Sequence, residues 1–312
     1  MDARLQLRVQ RYGWDRAAAR YDASWQQPLS SAHRVLVDHL QLRPGERVLD
    51  TACGTGGLAC ELAAAVGPAG VVVGVDLSQA MVDAANTRAV AAGLSHARFE
   101  RMDAQALTLP DAAFDVVTCC FGLMYLPDPE RALMQMKRVL RPGGRLGLAV
   151  WGERRRCAWA PVFTIIDAEV HGEVCPLFFR LGVEGALAKA CRQAGLSVPW
   201  QIAISQPLRY RSADEACDAM FVAGPAALAW SRFGEDTRLR VRAHYLAAID
   251  GWRVETGYVL PAEFVCDDHD ANPKALLNEG KPRDGNDSRR QNDKPVPPFQ
   301  STAEMLHRPG QP

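Results

Sequence analysis

The feature that most constrains this chain is the run Val48-Leu49-Asp50-Thr51-Ala52-Cys53-Gly54-Thr55-Gly56-Gly57-Leu58-Ala59, an apolar strand pattern that enters a glycine-rich turn and leaves it as a helix. Gly54 and Gly56 permit a tight turn and let a ligand approach the backbone where a Cβ would collide. In an open α/β sheet the crevice at the carboxyl end of the first strand is where ligands bind. A plain strand-to-helix turn is the simpler alternative, but two spaced glycines followed by downstream acids recur together at nucleotide sites.

Two ligand classes fit this turn. Gly54-x-Gly56-x-x-Ala59 satisfies the dinucleotide fingerprint, and Asp76 stands about twenty residues on, where a ribose-binding acid belongs. A nicotinamide (NAD(P)) oxidoreductase is therefore one reading. Asp76 closes the strand Val71-Val72-Val73-Gly74-Val75, and a carboxylate there can accept both hydroxyls of any adenosine ribose. On this reading Asp76→Ala weakens adenosyl binding and leaves the fold intact. Three further features separate the classes. Asp50 precedes the loop, where it would repel a pyrophosphate and would serve a ligand bearing an ammonium and a sulfonium. Asp103-Ala104 follows the third strand, at the height of an adenine amine. The stretch through Phe114-Asp115-Val116-Val117-Thr118-Cys119 and Pro142-Gly143-Gly144 carries no Lys, Tyr and His arrangement of the kind hydride transfer uses.

Along the chain, strand patterns at about 47–51, 71–75, 97–101, 114–119 and 145–151 alternate with helical ones, which predicts a parallel sheet covered on both faces. Ser78 is positioned to cap a helix carrying Met81, Val82, Ala85 and Ala89, with Gly93 as its left-handed stop. Asp128-Pro129-Glu130 opens the next helix, and Arg141-Pro142-Gly143-Gly144 reads as a turn that ends it. Residues 1–40 form a helical cap bearing Tyr12, Trp14, Tyr21 and Trp25, and 41–266 form the main domain. Within that domain 183–196 is expected to be helical, 198–211 and 257–266 to be strands, and 213–252 to be a helical insertion that serves as a lid or a dimer surface. The composition of 267–312 turns to Asp, Asn, Lys, Arg, Pro and Gly, which predicts a disordered tail.

Several of these segments, in this order, resemble the class I S-adenosylmethionine-dependent methyltransferases, and within them the ubiquinone and menaquinone biosynthesis group. The resemblance rests on Asp50-Thr51-Ala52-Cys53-Gly54-Thr55-Gly56, with Ala52 where a glycine is common. It extends through Gly74-Val75-Asp76-Leu77-Ser78 and Met81, Asp103-Ala104, and Asp128-Pro129 through Arg138-Val139-Leu140-Arg141-Pro142-Gly143-Gly144. It implies a Rossmann-like α/β fold with a seven-stranded sheet, and S-adenosyl-L-methionine as cofactor. It further implies that Asp50, Ala52, Gly54, Thr55 and Gly56 line the methionine end, Asp76 and Leu77 hold the ribose with Met81 nearby, and Asp103 and Ala104 hold the adenine. Cys120 and Phe121 would face the methyl group, and Tyr21-Asp22 would close over the cofactor from the N-terminal helix. The segment after the fourth strand departs from relatives. Met124-Tyr125 stand where quinone-type enzymes carry Arg-Asn, which argues against a quinone, and no Asn/Asp-Pro-Pro-Tyr clamp for amide or base nitrogens is present.

Methyl transfer from a sulfonium is an in-line displacement with a neutral leaving group, so the chemistry asks chiefly for alignment and a dry site, and it requires no metal. Where the acceptor must lose a proton, a base helps; Tyr125 is the preferred candidate, ahead of Tyr21, His33, His171 and His244. The acceptor pocket is expected under 152–182 and 213–252, with Trp159, Phe163, Ile165, Phe178, Phe179, Met220, Phe221 and Trp230 as an apolar roof, and Arg154-Arg155-Arg156 available to an acidic group. An apolar or aromatic small molecule follows. With 36 Lys+Arg against 36 Asp+Glu there is no net attraction to a phosphate backbone, which argues against nucleic acid. No apolar run reaches the roughly 18 residues of a membrane span, and the nine cysteines form no C-x-x-C pair, so a cytoplasmic setting with reduced core thiols is expected. A non-catalytic cofactor-binding or scaffold protein is the remaining alternative. Oligomeric state is not legible.

Overall fold

The computed structural model describes residues 2–270, apart from 173, 198 and 199. Strands β1 (Arg47–Thr51), β2 (Val71–Asp76), β3 (Ala97–Arg101), β4 (Phe114–Cys120) and β5 (Leu140–Trp151) alternate with helices α1 (Ala3–Leu40), α2 (Gly57–Val66), α3 (Gln79–Ala91) and α4 (Pro129–Val139). There follow α5 (Pro161–Val170), α6 (Ala186–Gln193), β6 (Trp200–Ser205), β7 (Leu208–Tyr210), α7 (Ala213–Phe221), α8 (Ala227–Arg232), α9 (Glu235–Ile249), β8 (Arg253–Val254), β9 (Gly257–Leu260) and β10 (Glu263–Asp270).

Seven strands form one sheet in the order β3-β2-β1-β4-β5-β10-β6. The first five are parallel, and β10 runs antiparallel to both β5 and β6. Since β1 pairs with β2 on one side and β4 on the other, the winding reverses between β1 and β4, and this is where an open α/β sheet leaves a crevice. The expected seven-stranded Rossmann-like fold is thus present. Every residue of β1 after Arg47, and all of β4 but Cys120, are buried, as expected of strands covered on both faces.

The local devices act as anticipated at α3 and α4. Ser78 Oγ accepts the Met81 N–H at 3.2 Å, Gly93 adopts φ 68°, and Asp128 accepts the Arg131 N–H ahead of Pro129. Other expectations are revised. Residues 141–144 are not a free turn: β5 already begins at Leu140, and a register shift opposite Phe114 and Val116 absorbs the glycines. The 198–211 and 257–266 segments each divide between two sheets, because β7, β9 and β8 form a separate three-stranded sheet. That small sheet brackets the helical insertion α7 to α9. β10 continues to Asp270 opposite Arg145, so the start of the expected tail belongs to the main sheet; 271–312 lies outside the described residues.

Helix α1 is a single 38-residue helix whose buried positions Gln6, Gln10, Gly13, Ala17, Trp25, Pro28, Leu29, Ala32, His33, Leu36 and Leu40 fall mostly at helical spacing, with a gap between Ala17 and Trp25. This stripe lays the helix along the sheet and over its crevice. Tyr12, off the stripe, is exposed.

Candidate functional site

The first turn of the site is built by strain and crowding. Ala52 takes φ 53°, a left-handed conformation costly for any residue with a Cβ, followed by Gly54 at φ 54° and Gly56 at φ 78°. The loop is then pinned from two sides, and the α3 cap beside it is tied to α1. Asp76 at the end of β2 accepts the Gly54 N–H on Oδ2 and the Ser78 N–H on Oδ1, both at 2.9 Å. Asp22 on α1 accepts the Thr55 hydroxyl at 2.6 Å and pairs with Arg88, whose Nε–H donates to the Thr55 carbonyl. Asp15, two turns earlier on α1, accepts the Ser78 hydroxyl at 2.6 Å.

Above the loop lies a cavity of about 950 Å³, counted to its open mouth. Of the residues singled out in the sequence, Tyr21, Ala52, Gly54, Asp76, Leu77, Met81, Asp103, Ala104, Cys120, Phe121 and Tyr125 line it. Asp50 and Thr55 line a smaller adjoining pocket with His33, which shares Ala52, Gly54, Tyr21 and Cys120 with the first. Gly56 lines neither; a Cβ on it would stand 2.9 Å from Ala85 Cβ, so its glycine is required by the approach of α3. The acids of β1, β2 and the β3 end therefore converge on one crevice although they lie far apart in sequence. Asp103 Oδ1 accepts the Gln105 N–H at 2.9 Å, which fixes its carboxylate at the cavity wall.

The sequence did not single out Leu7, Gln10, Leu29, Met102, Gly122, Leu126, Trp151 and Pro225, which also line the cavity. Trp14, Tyr21 and Trp25 were legible as one helical face, spaced by seven and four; Leu7, seven residues before Trp14, continues that face, and the buried stripe of α1 adds Gln10 and Leu29. The expected roof is mostly core. Phe163, Phe178 and Phe179 pack behind Trp159, and Phe221 stacks on Trp230 at 4.7 Å inside the insertion; only Trp159 of that group reaches the cavity. The arginine run is also committed elsewhere: Arg154 lies over the Phe179 ring, Arg155 pairs with Glu153 and Arg156 with Glu263.

Electrostatics divides the candidates. Asp50 is buried and accepts the Thr118 hydroxyl at 2.7 Å; burial, only partly offset by Thr118 and His33, pushes its carboxyl up to about 7. Burial also raises the Asp76 carboxyl, against the N–H groups of Ser78, Gly54 and Leu77 that favour its charge. Tyr125 was expected to act as a base. Its phenol is driven well above the ordinary range by burial and sits among Trp14, Phe178 and Cys175, surroundings that favour the protonated form and its hydrogen-bond donor. Tyr21 is raised by the same cause, while His171 and His244 are exposed and lie away from the cavity; His33 faces Glu61 at 3.2 Å. Among the described residues no cluster of three or more His, Cys, Asp or Glu could hold a metal, and no helix is long and apolar enough to cross a membrane.

A family model described as a methyltransferase domain matches residues 48–144, the stretch from β1 into β5. The nocamycin O-methyltransferase of Saccharothrix syringae is 33% identical over 196 residues, covering 58% of this chain and 70% of that one. The chain belongs to the class I S-adenosylmethionine-dependent methyltransferases. The ubiquinone/menaquinone biosynthesis C-methyltransferase of Ectopseudomonas mendocina is 41% identical over 134 residues, covering 41% of this chain; the chain spans about half, 52%, of that relative's length. Among solved structures, the (4+2)-cyclase SpnF superposes with a TM-score of 0.53 at 25% identity, over 81% of this chain and 84% of that one. Family membership removes the nicotinamide reading of the glycine loop. The residues present also fit the methyltransferase cofactor: the adjoining pocket offers a buried acid to a cationic amino-acid end, and the main cavity offers two carboxylates to the hydroxyls and amine of an adenosine.

Asp50 yields a pH prediction. Between the ordinary carboxyl value near 4 and its own value of about 7, the folded chain keeps a proton that the unfolded chain has released. Its contribution to stability is therefore present below about pH 4 and lost as pH rises through about 7. The α-ammonium of S-adenosylhomocysteine, placed beside Asp50, favours the ionised carboxylate, so affinity for this ligand should rise about tenfold from pH 6 to pH 8. Calorimetric titration across that range should show the rise in the parent protein and a flat profile in Asp50→Asn.

Proposed function

We propose that this protein transfers the methyl group of S-adenosyl-L-methionine to a small apolar or aromatic acceptor. The observation that carries the reading is one cavity whose wall combines the glycine loop, Asp76, Leu77, Asp103 and Ala104 with the aromatic residues Trp14, Tyr125, Trp151 and Trp159. When bound, the cofactor supplies an electrophilic methyl group on a sulfonium. In this reading Asp76 and Leu77 hold the ribose, Asp103 and Ala104 the adenine, and Asp50, Ala52, Gly54 and Thr55 the amino-acid end. Cys120 and Phe121 sit beside the reacting carbon; Phe121 is held at φ 56°, a strained conformation of the kind that persists at functional sites. Tyr21, Trp14 and Trp25 on α1 exclude water, and Tyr125 orients the acceptor through its hydroxyl.

The family alone does not guarantee methyl transfer, since a similar fold is that of a protein named as a cyclase. Incubation with methyl-labelled S-adenosylmethionine and a panel of phenols, enols and heteroaromatic alcohols, read by mass spectrometry, is expected to give labelled product. S-adenosylhomocysteine should raise the melting temperature and NAD should not. Tight cofactor binding without any labelled product would favour a non-methylating role for the same cavity. The helical insertion 213–252 and the cap 1–40 are proposed as parts of one catalytic domain, with α1 as its lid. All nine cysteines are unpaired, which supports a reducing, cytoplasmic setting.

A further inference from the structure

We propose that the outward face of the first half of α1 is a docking surface for an anionic lipid bilayer. The first twenty residues of the chain carry Arg4, Arg8, Arg11, Arg16 and Arg20 against Asp2 and Asp15 alone. Among the described residues eleven arginines elsewhere pair with carboxylates. None of these five does, and none makes a side-chain hydrogen bond there; Arg4, Arg8, Arg16 and Arg20 are exposed. The two acids are engaged otherwise. Asp2 accepts the Leu5 N–H as the cap of α1, and Asp15 faces the Ser78 hydroxyl and the Ala80 N–H.

Helical spacing gathers the patch. Arg8, Tyr12, Leu5 and Arg16 fall in one stripe along the helix, with Arg4 and Arg11 on one flank and Arg20 on the other. Leu7, Gln10, Trp14 and Tyr21, which line the cavity, fall on the opposite side. One face of α1 thus serves the cavity and the other presents cations to solvent. Leu5 and Tyr12 mark the class of partner. They are 46% and 48% exposed in the middle of the arginines, and the Arg11 guanidinium lies over the Tyr12 ring at 5.5 Å. This mixture matches a headgroup layer, where phosphates meet the guanidinium groups while a tyrosine ring and a leucine reach the acyl boundary. A nucleic-acid backbone would use the arginines but gives Leu5 no apolar layer to enter. The zero net charge of the chain does not cancel the patch, because exposed charges more than about 8–10 Å away are largely screened at ordinary ionic strength. Nor is the segment 271–312 an anionic counterpart, since it carries seven Lys and Arg against five Asp and Glu. Docked on this face, the cavity lies one helix diameter, about 10–12 Å, behind the bilayer surface.

The test floats the full-length chain with vesicles of phosphatidylcholine alone or of phosphatidylcholine mixed with phosphatidylglycerol. The parent protein should partition about tenfold or more in favour of the phosphatidylglycerol vesicles at about 0.1 M salt and lose that preference at about 1 M. The combined variant Arg4→Gln, Arg8→Gln, Arg16→Gln and Arg20→Gln should lose it at low salt, whereas lysine at the same four positions should keep it. The single variants Arg8→Gln and Arg16→Gln, which keep the test open should the combined one not fold, should each weaken partitioning about fivefold. Leu5→Ser with Tyr12→Ser should weaken it about threefold or more. Thermal melting of each variant confirms its fold. Equal partitioning of the parent onto the two vesicle types, an undiminished preference in the glutamine variants, or no effect of the Leu5→Ser, Tyr12→Ser pair would overturn the inference. Binding to duplex DNA tighter than to vesicles and abolished by the four glutamines would do so as well, by giving the arginines to a nucleic acid. Neither cofactor nor acceptor enters the assay, so its failure leaves the methyltransferase reading standing, and failure of that reading leaves the docking surface in place.

Discussion

Asp76→Ala is expected to lower affinity for S-adenosylhomocysteine by about a hundredfold or more and, in the same variant, to destabilise the apo protein by about 2–4 kcal/mol. The first effect follows from the proposed ribose contacts, two hydroxyls donating to a charged acceptor. The second corrects the expectation, drawn from sequence alone, that the fold would be untouched. Both Asp76 oxygens already accept backbone N–H groups, one from Gly54 in the loop and one from Ser78 at the cap of α3. Alanine takes the acceptor from both donors, and each such loss is costly. The carboxylate thus shapes the loop before any ligand arrives. Urea denaturation and ligand titration on the same preparation separate the two effects. A variant with parent-like stability would show that the loop does not depend on these bonds; one with parent-like affinity would remove Asp76 from the ribose site.

Gly122→Ala is expected to destabilise by about 2 kcal/mol or more, a fall in melting temperature of roughly 4–8 °C, and to be substantially rescued by Ala52→Gly. A Cβ at 122 would stand 2.3 Å from Ala52 Cβ and 3.1 Å from Cys119 Sγ. The first contact is impossible for two carbons, and both partners sit where β1 and β4 emerge at the crevice, so neither backbone can retreat without opening the sheet. Ala52 itself carries the cost of a left-handed conformation, of about 1–2 kcal/mol. Its replacement by glycine removes that strain while adding unfolded-state entropy, so the single Ala52→Gly change should lie within about 1 kcal/mol of the parent. In the double variant the 2.3 Å clash is gone and only the softer sulfur contact is left. A thermal double-mutant cycle should return a coupling of about 1–2 kcal/mol; additive effects would show that the two positions do not crowd each other.

Asp50, Asp76 and Asp103 were readable one by one because each stands at or just past the carboxyl end of a strand, and strands in a parallel sheet deliver those ends to a common edge. The caps at Ser78 and Asp128 were readable for a similar reason: a side chain three residues from the N–H it accepts is a local matter. Tyr125 shows where this stops. Its place beside the cavity was anticipated, but its protonation state depends on burial among Trp14, Phe178 and Cys175, which come from α1 and from the segments around α5. Phe178 and Trp230 show the same limit from the other side. Both are aromatics in segments expected to roof the acceptor, and the structure spends both on core packing. The division of 257–266 between two sheets was hidden too, since both halves alternate well enough to be strand and only their partners differ.

What the amino-acid sequence determined unaided is the order of the strands and helices, the glycine turn between β1 and α2, and the acids that close successive strands, because each depends on backbone preferences and spacings within one turn or one strand. The tertiary structure alone decided that α1 lies across the crevice, that Gly56 serves the approach of α3, and that Asp76 is a loop brace as well as a candidate ligand. Each of those outcomes is set by contacts between residues tens to hundreds of positions apart, and a pattern read along the chain carries no information about which distant surfaces will meet.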